Sequence, residues 1–292
     1  MTKYIATLGQ SFVDIEKEGC TPEKANMDVF KGRVDFCGCE EAPDEEKKLV
    51  IDFLAREILD VIVWQNECLR LTGPQFCPFL FLEPVESEII NVYMIIMQKK
   101  SIDYGFEIYC MDTIVQREVL QNLEKYGKHR ILYNTDYEVF LSRLTSFTRC
   151  RLQGLNKDLF RRCKYVIFPI NDNWHWYLLV YEASSRTFKV LDSMHDPMAM
   201  RTARVYTKFL ASCIKHLSGF EIFSEPVVRE PCRDQGATLD CGVYTCMWLE
   251  CLARDTVDMW KYAEDVKMDT YRARIAATIL SDENGLLKNK FE

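Results

Sequence analysis

The chain has 292 residues, 48% of them hydrophobic and 12% aromatic, enough for one large domain or two small ones with a sizeable packed core. Its net charge of −7 leaves no basic footprint for nucleic acid, and no apolar stretch reaches the roughly 18 residues needed to span a bilayer. That composition also excludes disorder over most of the length.

The start Met1-Thr2-Lys3-Tyr4 runs into polar sequence instead of the apolar core of a signal peptide, so the expected location is nucleus and/or cytoplasm. In such a reducing compartment the thirteen cysteines read as thiols, mostly small buried apolar groups. Cys37-Gly38-Cys39 is the one close pair and lacks the CxxC or HxxxH partner that a structural zinc site needs. Residues 1–83 hold 9 basic and 16 acidic side chains, against 28 of each beyond, which sets the two regions apart.

In chain order, residues 1–83 read as an acidic, mainly helical extension layered on the rest. Pro43-Asp44-Glu45-Glu46 has the look of a helix start, with Asp44 as N-cap. Leu49, Phe53, Ile58, Ile62 and Trp64 continue as one apolar stripe to about Leu71, and Gly73-Pro74 ends it. After Pro84, helical spacing predicts helices over Glu86–Met97, Thr113–Tyr126 behind an Asp112 cap, and Tyr137–Ser146 behind an Asp136 cap. Three short runs rich in Val, Ile, Tyr, Trp and Phe follow at Tyr165–Ile170, His175–Tyr181 and Thr187–Leu191, separated by turn residues; they read as antiparallel strands. Helical patterns return at Met198–His216, Cys241–Ala253 and Asp269–Ser281. Helices, then strands, then helices predict an α+β fold with a central mixed or antiparallel sheet flanked by helices.

Four histidines allow each candidate general base to be weighed singly. His129, beside Lys128 and Arg130, and His195, in a turn before Pro197, read as solvated; His216 reads as a structural residue on a helix. His175 stands between Trp174 and Trp176 at a strand start, where aromatic neighbours exclude water and fix the ring. Asp192 ends the next strand, 17 residues on, and a hairpin brings those two ends together, so that a carboxylate can hold one imidazole tautomer. On position alone His175 is equally a half-buried strand residue, and Asp192 ordinary turn chemistry.

The third element is Asp234-Gln235-Gly236-Ala237-Thr238-Leu239-Asp240-Cys241-Gly242, where a loop meets an apolar helix. A helix N-terminus stabilises a thiolate at Cys241, Asp240 is placed to cap the exposed amides, Gly242 leaves room for a substrate backbone, and the Gln235 amide can donate to a developing oxyanion. A cysteine in such a place is otherwise structural, as Cys246 and Cys251 are expected to be.

Trp174-His175-Trp176, Leu191-Asp192-Ser193 and Gln235-x5-Cys241-Gly242, in this order, resemble the ubiquitin-like-protein (SUMO) proteases of the Ulp/SENP family. Glu88-Ile89-Ile90-Asn91 is similar to the helix that opens that family's catalytic domain, and Tyr271-Arg272-Ala273-Arg274-Ile275 with Ile279-Leu280 to its closing helix. The resemblance covers about residues 84–285 and implies a papain-like protease domain over 84–292. It implies His175, Asp192, Cys241 and Gln235 as catalytic residues, and Trp174, Trp176 and Gly242 at the substrate. It implies a ubiquitin-like modifier (SUMO, NEDD8 or ubiquitin) and its conjugates as partners, and no metal or organic cofactor. Two departures stand out: Pro84-Val85 where the family has a Trp-Leu pair, and Ala237 where it often has Asn. They resemble the plant and transposon-associated branches. Two alternatives stay open, a modifier-binding module with weak or no turnover, and acyl transfer that depends on acetyl-CoA.

Overall fold

The computed structural model describes residues 27–125, 137–256 and 266–288. Helix α1 (Asp44–Leu54) is followed by strands β1 (Ile62–Gln65) and β2 (Arg70–Thr72) and the short α2 (Gly73–Phe76). Then come α3 (Ser87–Asp103), β3 (Glu107–Cys110), α4 (Thr113–Lys125), α5 (Tyr137–Arg143), α6 (Ser146–Gln153) and α7 (Lys157–Arg162). The central strands are β4 (Cys163–Asp172), β5 (His175–Glu182) and β6 (Thr187–Leu191), and α8 (Pro197–Ser218), β7 (Val227–Arg229), α9 (Cys241–Arg254) and α10 (Met268–Ser281) complete the chain.

The main sheet has the order β3-β4-β5-β6-β7. Its middle is antiparallel, as expected, but both edge strands run parallel to their neighbours, so the sheet is mixed. Strand β5 is buried on both faces, which is why it reads as a continuous apolar run. One face, through Ile167, Trp176, Leu178, Val180 and Leu191, packs against α9, α3 and α10. The other, through Val166, Phe168, Tyr177, Leu179 and Val190, packs against α4, α6, α7 and α8.

The expected single helix from Asp44 to about Leu71 is corrected: it stops at Leu54, and β1 and β2 form a hairpin. Tertiary partners override the helical stripe there. The amide of Gly32 donates to the Leu54 carbonyl (2.7 Å), and β1 is claimed by the end of the chain through Leu286 N to Val63 O (2.9 Å) and Gln65 N to Asn284 O (3.2 Å). Pro43, not Asp44, occupies the N-cap, and Asp44 joins Glu45 and Glu46 in the first turn, where carboxylates favour the helix dipole. The Met27–Leu82 segment contributes Phe36, Phe53, Trp64 and Phe79 to the same core that holds α9.

The Asp112 cap is present, with its carboxylate accepting from Ile114 N at 2.8 Å. Tyr126, His129 and Asp136 lie outside the described residues. The helix expected to run to Ser146 ends at Arg143, and a second one begins at Ser146 behind a Thr145 cap.

Candidate active site

His175 and Asp192 meet because of sheet register. Strands β5 and β6 pair with Leu178 opposite Leu191, so continuing that register sets Asp192 beside Tyr177, two residues from His175 on the same face. The His175 Nε2 lies 2.7 Å from Asp192 Oδ1. Asp192 is fully buried and its oxygens are saturated: Oδ1 also accepts from Met194 N (3.0 Å), Oδ2 accepts from Asp196 N (2.8 Å), and the Arg229 guanidinium stands 3.4 Å from Oδ2. Burial alone would raise this carboxyl, but the bonds from His175 and Met194 N, with the nearby charges of His175 and Arg229, hold it below the usual carboxylate range. Strand β7, which brings in Arg229, gave no signal in the sequence beyond three residues of strand-like composition.

Burial also works against a charged His175, yet the bond to Asp192 and the neighbouring Cys241 thiol push its pKa up to about 9. The Nδ1 atom is buried and has no formed hydrogen bond. With Nε2 committed to Asp192, Nδ1 is the atom left to exchange a proton with sulfur.

Cys241 opens α9 and is largely buried. Its Sγ points toward the Trp174 carbonyl at 3.9 Å, a weak thiol contact that ties the nucleophile helix to the β4–β5 turn. That turn has only two residues, Asn173 and Trp174, both with positive φ (52° and 66°). This is the geometry of a type I′ hairpin, where glycine is favoured at the second position. A tryptophan held there is under backbone strain, and the residue is 74% exposed.

Asp240 occupies the N-cap but makes no side-chain bond to the first-turn amides, contrary to the capping role expected. Its carboxylate accepts instead from Arg272, Nη2 at 2.7 Å and Nε at 3.2 Å. Gln235 is buried and pinned: its amide oxygen accepts from Ser193 Oγ (2.6 Å), its backbone N donates to Ser193 O (2.9 Å), and Nε2 donates to Thr238 O (2.8 Å). One N–H of the amide remains for another acceptor. Ser193 was legible only as the residue after Asp192; its part is to orient Gln235.

Gly242 serves packing. A Cβ there would come within 2.5 Å of the Val85 Cβ and 3.4 Å of Trp176 Cδ1, so the room it makes is filled by Val85 and not by open space. Trp176 is buried and its Nε1 donates to the Val85 carbonyl at 3.0 Å. Val85, at the departure from the family pattern, thus wedges between the residue after the thiol and the residue after the imidazole. His195 is exposed with Nε2 2.8 Å from Cys232 O, and His216 is exposed on α8; neither approaches Cys241. Cys246 and Cys251 are buried, and burial pushes both thiols up, Cys251 to about 12.

The structure matches several solved protease domains. The catalytic domain of the Ulp1-like SUMO protease of Chaetomium thermophilum aligns with a TM-score of 0.57 at 16% identity, over 84% of this chain and 90% of that one. The C-terminal Ulp1 protease domain solved with Smt3, the yeast ortholog of SUMO, aligns with a TM-score of 0.56 at 19% identity, over 82% and 94%. SUMO protease Ulp1 with its catalytic cysteine oxidised to a sulfenic acid gives 0.56 at 18%, over 83% and 96%. At these identities the likeness is one of fold. None of the curated proteins matches the chain. The model of the Ulp1 protease family, C-terminal catalytic domain, matches residues 86–283, and the chain belongs to that family.

Proposed function

We propose that this Ulp1-family protease is a thiol isopeptidase or endopeptidase that cleaves after the C-terminal glycine of a ubiquitin-like modifier, with Cys241 as nucleophile, His175 as general base and acid, and Asp192 as its orienter. The observation that carries the reading is the buried Asp192–His175 pair beside a cysteine at the first turn of an apolar helix. In this mechanism His175 takes the thiol proton on Nδ1, and its charge is stabilised by Asp192. The thiolate attacks the glycine carbonyl. The remaining N–H of Gln235 and the Cys241 amide at the helix tip hold the oxyanion. His175 then protonates the leaving amine, and water releases the acyl group. Trp174, exposed at the mouth, and Trp176, behind it, flank the glycine tail.

SUMO is the first modifier to test, because the similar Ulp1 domain was solved with Smt3. Location in the nucleus or cytoplasm is part of the proposal and fits the free thiol state of every cysteine among the described residues. The test is turnover of SUMO, NEDD8 and ubiquitin carrying a C-terminal fluorophore. Wild type releases fluorophore from at least one, and Cys241→Ser from none; equal turnover by both rejects the nucleophile. A modifier-binding module without turnover is the second reading, favoured by the Val85 wedge against Gly242. It predicts modifier binding without covalent capture by a modifier bearing a C-terminal electrophile.

A further inference from the structure

Arg272 on α10 has no solvent exposure, yet it carries a full positive charge in the core. Its guanidinium donates to Asp240 Oδ1 through Nη2 and Nε, and through Nη1 to the carbonyls of Phe79 and Glu83, both at 2.9 Å. Its cation also sits 5.2 Å from the centroid of the Phe79 ring. A buried ion pair is a poor device for stability alone, because desolvation offsets the attraction; a forked donor with four bonds fixes positions instead.

What it fixes lies on both sides of the proposed catalytic pair. Asp240 is the residue before Cys241. Glu83 is two residues before Val85, whose side chain packs on Gly242 and whose carbonyl holds the Trp176 indole, next to His175. One guanidinium therefore keys the sulfur-bearing helix tip to the strand that carries the imidazole. It also neutralises Asp240, a carboxylate that would otherwise oppose a thiolate on the adjacent residue.

We propose that Arg272 is a positioning residue for Cys241, acting through Asp240 to hold the helix tip and to cancel its negative charge. The inference rests on Cys241 being the nucleophile. Other titratable groups around the pair are Asp269 on α10, Cys37 from the N-terminal segment, and Tyr244 and Cys246 on α9; His175 faces the thiol from β5.

The experiment follows alkylation of Cys241 by iodoacetamide against pH, read by peptide mass analysis on the full chain, with kcat and KM on the modifier that wild type turns over. Exposed Cys68 and Cys150 serve as internal references. For Arg272→Gln the expected result is alkylation at neutral pH at least about tenfold slower, a profile moved to higher pH, and a fall in kcat with KM nearly unchanged. Arg272→Lys keeps the charge but not the fork and falls between. Asp240→Asn removes the opposing charge and moves the profile to lower pH. These opposite directions are not produced by loosened packing. A profile for folded Arg272→Gln that superposes on wild type overturns the inference, as do shifts of the same sign in Arg272→Gln and Asp240→Asn. If Arg272→Gln does not fold, an unmoved Asp240→Asn profile overturns it. Wild-type Cys241 reacting no faster than Cys68 and Cys150 instead rejects the nucleophile assignment itself.

Discussion

The imidazole of His175 and the carboxylate of Asp192 form one buried unit, with Nε2 and Oδ1 2.7 Å apart. Each holds the other in its charged form. The carboxyl is lowered from 3.8, so its contribution to stability is present above that value and is lost as pH falls; the imidazole is raised from 6.5 to about 9, so its contribution is present below 6.5 and is lost as pH rises through about 9. Activity that needs the imidazolium is expected to fall as pH rises through about 9. Asp192→Asn replaces the charged acceptor that most raises His175 with a neutral amide. Its alkaline limb is expected at lower pH and its kcat to fall by about 10²–10⁴-fold. The check is a kcat/KM profile against pH for both proteins.

The strained turn at Trp174 predicts a trade of stability against substrate binding. Trp174→Gly supplies the residue a type I′ turn favours and is expected to stabilise the fold by about 1 kcal/mol. The same change removes the exposed indole from the turn whose carbonyl faces Cys241 and is expected to raise KM. Thermal unfolding and Michaelis kinetics on one preparation read both effects.

Gly242→Ala places a methyl 2.5 Å from the Val85 Cβ, and is expected to destabilise by about 1–3 kcal/mol and to lower kcat by displacing the helix tip. Val85→Gly in the same chain removes that Cβ, together with the Cγ2 2.7 Å away, and opens the space. The double variant is expected to recover most of the loss, which a double-mutant cycle on unfolding and turnover measures.

Glu250, nearly buried on α9, collects bonds from Tyr93 of α3, from Tyr271 and Arg274 of α10, and from Arg254. Burial raises this carboxyl, but Tyr271 and the arginines outweigh it and hold it low. Glu250→Ala leaves Tyr93 and Tyr271 unpaired in the core, while Arg254 and Arg274 still reach solvent, and is expected to cost about 1–3 kcal/mol in denaturant unfolding. Because the folded carboxyl is held low, the wild type is expected to lose this contribution as pH falls, narrowing the gap to the variant in acid.

The hairpin of β5 and β6 was legible to within one residue because its strands are short, apolar and bounded by turn residues, and it carries His175 and Asp192. Cys241 was legible because a polar, glycine-containing loop runs straight into an apolar helix. The edge strands β3 and β7 were not: four and three residues are too few to show a period, and each forms only against a neighbour distant in the chain. β1 and β2 were hidden inside a stripe that also fits a helix, and the choice was made by contacts near residue 285. Arg272 was visible only as part of a family-like helix, since nothing local reveals a partner 32 residues away. Asp240 misled for the same reason: cap chemistry is local, and the competing guanidinium is not.

The β1 hairpin and the turn at Gly38 give the molecule a border that descent does not draw. Gly38 lies so near the backbone of Asp269 and Thr270 that a Cβ would stand 2.5 Å from the Asp269 carbonyl, and the Trp64 indole donates to Asp282 at 2.6 Å. The inherited match opens at residue 86, yet the mechanical unit already includes Met27. A chain trimmed to the inherited span would leave the outer wall of α10 bare and greasy, so anyone excising this protease should cut upstream of Met27.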